Sequence, residues 1–172
     1  MRIREASIED TAAIAQVHVD SWRTAYQGII SDAYLANLDV KAREAGWIRF
    51  FEQPNRSSVI YVAVNDAGSI VGFVSGGAPR SPEYGYEAEL YSIYLLSSYQ
   101  GQGIGARLAE QIVDYFRRMG YHSFMLWVLE QNSAVDFYKR LGGEVFDRKE
   151  LPIGEETFIE LAVGWKSLRL LK

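Results

Sequence analysis

Residues 95–106 read Leu-Leu-Ser-Ser-Tyr-Gln-Gly-Gln-Gly-Ile-Gly-Ala, with three glycines in five residues. A run of strand formers precedes this segment, and a run with helical spacing follows it. Glycine lets a backbone come close to a ligand and lets successive N–H groups point one way. The helix start adds its positive dipole end. Strand, glycine turn and helix N-terminus together make an anion site, most naturally for a pyrophosphate.

The rest of the chain supplies the elements around that turn. Residues 1–5 form the first strand. Ser7 caps a helix, with Asp10 three positions on as an approximate capping box. Ile14, Val17 and Trp22 share one side of this helix, which runs to about Ala25 before Gln27-Gly28 breaks it. Ser31 and Asp39 are N-caps for two further short helices ending near Phe51, and Pro54-Asn55 starts a loop. Residues 59–65 and 69–75 form a hairpin across Asp66-Ala67-Gly68. A Gly/Pro/Ser loop, 76–85, leads into a strand at 87–96. In 104–119, Ile104, Leu108, Ile112, Tyr115 and Met119 share a helix face, and Gly120 ends it. Residues 123–129 are a buried strand, Asn132 caps a helix at 133–141, and 144–151 with 156–163 make a final antiparallel pair. The expected fold is a single mixed α/β domain over residues 1–172, with one central sheet.

Composition narrows the function classes. There is no cysteine, which excludes disulfides, thiolate metal sites and a cysteine nucleophile. The two histidines, His18 and His122, stand apart and make no zinc site, so no metal is expected. A net charge of −4 argues against a nucleic-acid partner. No apolar run approaches the ~20 residues of a membrane span, and residues 1–5 have no apolar leader core. A cytoplasmic protein is the expectation, and nothing excludes a homodimer.

Three nucleotide-binding turns compete for the glycine segment. A P-loop needs Lys-Ser/Thr after its last glycine, and the chain has Ala106-Arg107. A dinucleotide fingerprint fits Gly101, Gly103 and Ala106, with Glu130 after the next strand, and would make the chain an NAD-dependent oxidoreductase. Against it, residues 97–100 separate strand from glycine, and too little chain follows Glu130 for a doubly wound sheet. The third turn is Gln100-x-x-Gly103-x-Gly105, which resembles the Q/R-x-x-G-x-G/A loop of the GNAT superfamily of acetyl-CoA-dependent N-acetyltransferases. Residues 89–95, Glu-Leu-Tyr-Ser-Ile-Tyr-Leu, resemble that family's central strand. Asn132-Ser133-Ala134-Val135-Asp136-Phe137-Tyr138 and the following Gly142 resemble its N-x-x-A-x-x-F-Y-x-x-x-G segment. Trp22-Arg23-x-x-Tyr26-x-Gly28-Ile29-Ile30 resembles the acceptor-side helix and loop of many members. The resemblance spans residues 1 to about 163 and leaves the tail 165–172 outside it.

That resemblance implies a mostly antiparallel sheet flanked by helices, with a splayed central strand pair, and acetyl-CoA as cosubstrate. The amides of Gln100, Gly101, Gln102, Gly103, Ile104, Gly105 and Ala106 would take the diphosphate. Ile93, Tyr94 and Leu95 would pair with the pantetheine arm, and the N–H of Ile93 or Tyr94 would polarise the acetyl carbonyl. Asn132 would contact the pantetheine or its phosphates, and also serve as an N-cap. Tyr138 matches the tyrosine that protonates the departing thiolate in many members, and a helix aromatic packing on the core is its plainer alternative. Glu89 matches a carboxylate that removes the amine proton through water, and a solvent-facing strand glutamate is the alternative. Glu87, two residues away, would share its face.

On the acceptor side the resemblance points to Trp22, Tyr26 and the loop 80–86, whose aromatics could hold an alkylammonium. Glu83, Glu87 and Glu89 hint at a cationic amine of a small molecule or peptide. His18 is read as a structural helix residue and His122 as a surface residue. A binding module that holds acetyl-CoA without turnover is the remaining alternative.

Overall fold

The computed structural model describes residues 1–54 and 56–170; Asn55, the second residue of the loop expected at Pro54-Asn55, and the last two residues of the tail lie outside them. Seven strands form one sheet in the order β1-β2-β3-β4-β5-β7-β6. They are β1 (Arg2–Glu5), β2 (Ser58–Val64), β3 (Ile70–Gly77), β4 (Ala88–Leu95), β5 (Phe124–Leu129), β6 (Glu144–Ile153) and β7 (Glu156–Trp165). Every neighbouring pair is antiparallel except β4 and β5. The helices are α1 (Thr11–Ala25), α2 (Asp32–Ala36), α3 (Val40–Glu52), α4 (Ile104–Arg118) and α5 (Ala134–Arg140).

Local chemistry sets the element ends. Asp10 accepts the Ser7 N–H at 2.9 Å and is gripped by both terminal nitrogens of Arg4 at 2.7 and 2.8 Å. This box closes a 3-10 turn, Ile8–Asp10, so the α-helix begins at Thr11 rather than directly after Ser7. Ser31 Oγ and Asp39 Oδ1 cap α2 and α3 as expected, accepting from Tyr34 and Lys41 N–H groups. In the β2–β3 hairpin, Asn65 Oδ1 accepts the N–H groups of Ala67 and Ser69.

Helix α4 lies on β2, β3 and β4 through Ile104, Leu108, Ile112, Val113 and Phe116. The buried stripe is wider than the expected face and is centred on Ile112. Tyr115 falls at its edge, and Met119, the C-cap, is 49% exposed. The approach is close: a Cβ on Gly76 would stand 2.8 Å from the Glu89 carbonyl and 3.0 Å from Ile112 and Phe116. On the other face α1 packs on β3, β4 and α3.

Two irregularities in β4 shape the middle of the sheet. Ser75 pairs with Ser92 but Gly76 pairs with Leu90, so Tyr91 is an extra, bulged residue. The parallel partner β5 meets β4 only at Ala88↔Phe124 and Glu89↔Met125. Beyond that point β5 pairs with β7 alone, from Leu126↔Val163 to Leu129↔Glu160. The strands therefore splay, as the resemblance implied. After Trp165 the tail turns back, with Leu168 buried and its carbonyl accepting from Arg117.

Candidate active site

The splay opens a cleft of about 1180 Å³, with the glycine loop, β4, β5, α1 and α5 around it. The loop starts as a 3-10 turn, Ser97–Tyr99. Gly101 and Gly103 then take φ of +73° and +77°, a left-handed backbone that side chains with a Cβ rarely adopt. No atom lies within 4 Å of a Cβ built on either, so conformation and not crowding requires glycine there. Among the described residues, the N–H groups from Gly101 to Ala106 have no protein acceptor; Arg107 is the first to bond back, to the Gly103 carbonyl at 3.1 Å. Gln100 differs from the rest of the loop. Its N–H is used by Ser97 at 3.2 Å and its side-chain amide donates to the Leu95 carbonyl at 3.1 Å. Gln100 thus braces the turn from within, joining it to the end of β4. Gly105 faces Phe137, 3.6 Å from a built Cβ.

Past Glu89 the edge of β4 that faces β5 carries no strand partner, and Ile93, Tyr94 and Leu95 line the cleft. The Tyr94 hydroxyl accepts the Trp22 indole N–H at 2.9 Å, and burial pushes its pKa up. Tyr26 is buried, and its hydroxyl accepts from Asn132 Nδ2 at 3.2 Å. Asn132 Oδ1 in turn accepts the Ala134 N–H at 2.9 Å. The same asparagine caps α5 and ties it to α1 across the cleft. Tyr138 is 7% exposed, packs edge-on against Trp165, and lines the cleft; burial, and then the nearby Tyr26, push its pKa up.

The two predicted carboxylates part company. Glu89 is wholly buried and lines the cleft. Its Oε1 accepts from Arg80 Nε at 3.1 Å and Nη2 at 2.7 Å, and its Oε2 from the Arg80 backbone N–H at 2.6 Å. The Arg80 guanidinium lies 4.8 Å from the centre of the Tyr91 ring. Glu87 does not share that face. β4 begins at Ala88, the Glu87 N–H goes to Ser123 Oγ, and its carboxylate accepts the His122 N–H at 2.8 Å, outside the cleft. Among the cleft residues that escaped sequence reasoning are Trp127, Lys149 and Glu160. Lys149 and Glu160 are opposite each other in the β6–β7 register, with Nζ 3.3 Å from Oε1 and 3.9 Å from the centre of the Trp127 ring. No local motif marks them, because strand register alone brings them together.

His18 belongs to the core. It stacks on Tyr94 at 4.9 Å among Trp22, Trp47 and Phe73, and its Nδ1 has no partner among the described residues. Burial, reinforced by Arg43, pushes its pKa down to about 3. The unfolded chain takes up this proton below about pH 6.5, whereas the folded chain does not until about pH 3. Stability is therefore expected to fall as pH drops through that window, by up to ~1.4 kcal/mol per unit. Urea midpoints at pH 7 and pH 4.5 should differ less for His18→Phe than for the wild type; an equal difference would remove His18 as the cause.

Among the described residues, no three His, Cys, Asp or Glu side chains gather as a metal site, and no helix is long and apolar enough to cross a membrane. The family described as acetyltransferase (GNAT) matches residues 13–143. The uncharacterized N-acetyltransferase YuaI of Bacillus subtilis is 38% identical over 170 residues, covering 99% of this chain and 95% of that protein. Spermidine N(1)-acetyltransferase of Thermoplasma acidophilum is 27% identical over 150 residues, 86% of this chain and 90% of that one. The crystal structure of the PaiA N-acetyltransferase from Thermoplasma acidophilum in complex with coenzyme A superposes with a TM-score of 0.74 at 26% identity, covering 92% and 96% of the two chains.

Proposed function

The chain belongs to the acetyltransferase (GNAT) family, and on that premise we propose that it moves an acetyl group from acetyl-CoA to a primary amine of a small molecule or peptide, by direct attack in a ternary complex. The observation that carries this reading is the row of free amides from Gly101 to Ala106 at one end of a cleft that also holds Glu89 and Tyr138. The residues present fit the cosubstrate. The free N–H groups and the helix dipole suit a diphosphate, and the partnerless edge of β4 suits the amides of a pantetheine arm. Acetyl-CoA supplies the thioester carbonyl that the amine attacks.

In this reading the backbone N–H of Ile93 donates to the carbonyl oxygen as negative charge develops there; that of Tyr94 faces β3, as does that of Leu96, which bonds to the Val71 carbonyl. An alkylamine, with a pKa of about 10.4, must first lose a proton. Glu89 takes it through a water. Arg80 holds the carboxylate in place, and Oε2, which accepts only one N–H, keeps capacity for that water. As the new C–N bond forms and the C–S bond breaks, Tyr138 gives its phenolic proton to the thiolate. Burial raises its pKa, so the phenol is protonated at neutral pH when the thiolate departs. Trp22 and Tyr26 form the α1 side of the acceptor space, Asn132 orients the start of α5, and Gln100 holds the loop in shape.

Thermal shift and thiol release test the proposal together. Acetyl-CoA at 100 times its dissociation constant should stabilise the fold by about 2.7 kcal/mol, and thiol should appear when an amine is added. Gly103→Val forces a β-branched residue to positive φ and should remove most of the shift. Stabilisation by NAD and not by acetyl-CoA would refute the reading.

A further inference from the structure

One face of the sheet carries two ion pairs whose halves are unequally exposed. Glu89 sits opposite Met125, and Glu160 opposite Leu129, with Trp127 between them on the same face of β5. The Glu89 and Glu160 side chains are 0% and 11% exposed, whereas their partners Arg80 and Lys149 are 61% and 47% exposed. All five of these polar and aromatic side chains, Trp127 included, line the cleft. Each cation also rests on an aromatic face, Arg80 on Tyr91 and Lys149 on Trp127. The aromatic seats hold the cations in position without neutralising them.

An incoming acceptor therefore meets positive charge first. A polyamine finds the carboxylates already engaged from the inside. A carboxylate finds two donors: Arg80 Nη1, which has no protein partner among the described residues, and the exposed ammonium of Lys149. Glu89 and Glu160 are anchored about four residues apart along β5, roughly 13 Å, which suits a small molecule. We infer that the acceptor is a small amine that carries a carboxylate, which Lys149 holds at one end of this span while the amine faces Glu89 and Tyr138 at the other. This specificity rests on the acetyl-transfer reading above, and it replaces the cationic acceptor expected from Glu83, Glu87 and Glu89.

The test uses the whole chain with acetyl-CoA and matched acceptors: the common L-amino acids, their carboxamides, and spermidine. The free acids should have kcat/KM at least about tenfold above their carboxamides and above spermidine. Amidation leaves the amine less protonated, so this loss would run against intrinsic reactivity. Lys149→Gln should raise the acceptor KM about tenfold and leave the acetyl-CoA KM within about twofold, while Lys149→Arg should retain acceptor binding. Carboxamides or spermidine turned over as fast as the acids, or an unchanged acceptor KM in Lys149→Gln, would overturn the inference and leave acetyl transfer standing. No thiol released with any amine would overturn acetyl transfer itself.

Discussion

Tyr138→Phe is expected to lower kcat on the order of a hundredfold while the KM for acetyl-CoA stays within a few-fold. The substitution removes one oxygen and keeps the ring, which packs edge-on against Trp165 and is almost wholly buried. Packing should therefore survive, and the loss should appear in the step where the thiolate departs. No side-chain hydrogen bond of the Tyr138 hydroxyl occurs among the described residues, so its proton is not committed to another protein group. Stopped-flow thiol release under saturating acceptor separates this step from binding. An unchanged rate would remove Tyr138 from the chemistry and leave it as a core aromatic. A rate loss matched by an equal loss of thermal stability would point the same way.

The second large effect falls on stability. Arg80→Met should destabilise the fold by about 3 kcal/mol, because it leaves the buried Glu89 carboxylate with a single backbone N–H. For a chain of this size that corresponds to a melting temperature lower by roughly 6–12 °C. Most of the cost is the uncompensated buried charge, and not the loss of Arg80 contacts, since that side chain is 61% exposed. Adding Glu89→Gln to Arg80→Met should therefore recover much of the loss, although it should also lower turnover. The double-mutant cycle isolates the pair. Additive losses in the two single variants would show that the pair has no coupling, and Arg80 would then be a loop residue that merely rests on Tyr91.

The elements and their order were legible because the signals are local. Helical spacing places α4, the Asp66-Ala67-Gly68 turn places the β2–β3 hairpin, and Ser31 and Asp39 cap within three residues of themselves. The errors are local as well. One strand residue too many at the start of β4 put Glu87 on the face of Glu89, when it stands outside the strand against His122. A stripe drawn too narrowly on α4 took in Met119 and missed Phe116.

What the amino-acid order determined by itself is the turn from Gly101 to Ala106. Positive φ at Gly101 and Gly103 is a property of each residue's own backbone, and a helix start leaves its first amides free whatever surrounds it. The tertiary structure alone decided which charges meet. Arg80 reaches Glu89 across a loop, Lys149 reaches Glu160 and Trp127 through the β6–β7 and β5–β7 registers, and Asn132 reaches Tyr26 from 106 residues away. Such pairings depend on how strands align and on where β4 leaves β5, and a one-residue shift in register would turn the strand residues among them, Glu89, Trp127, Lys149 and Glu160, to the opposite face.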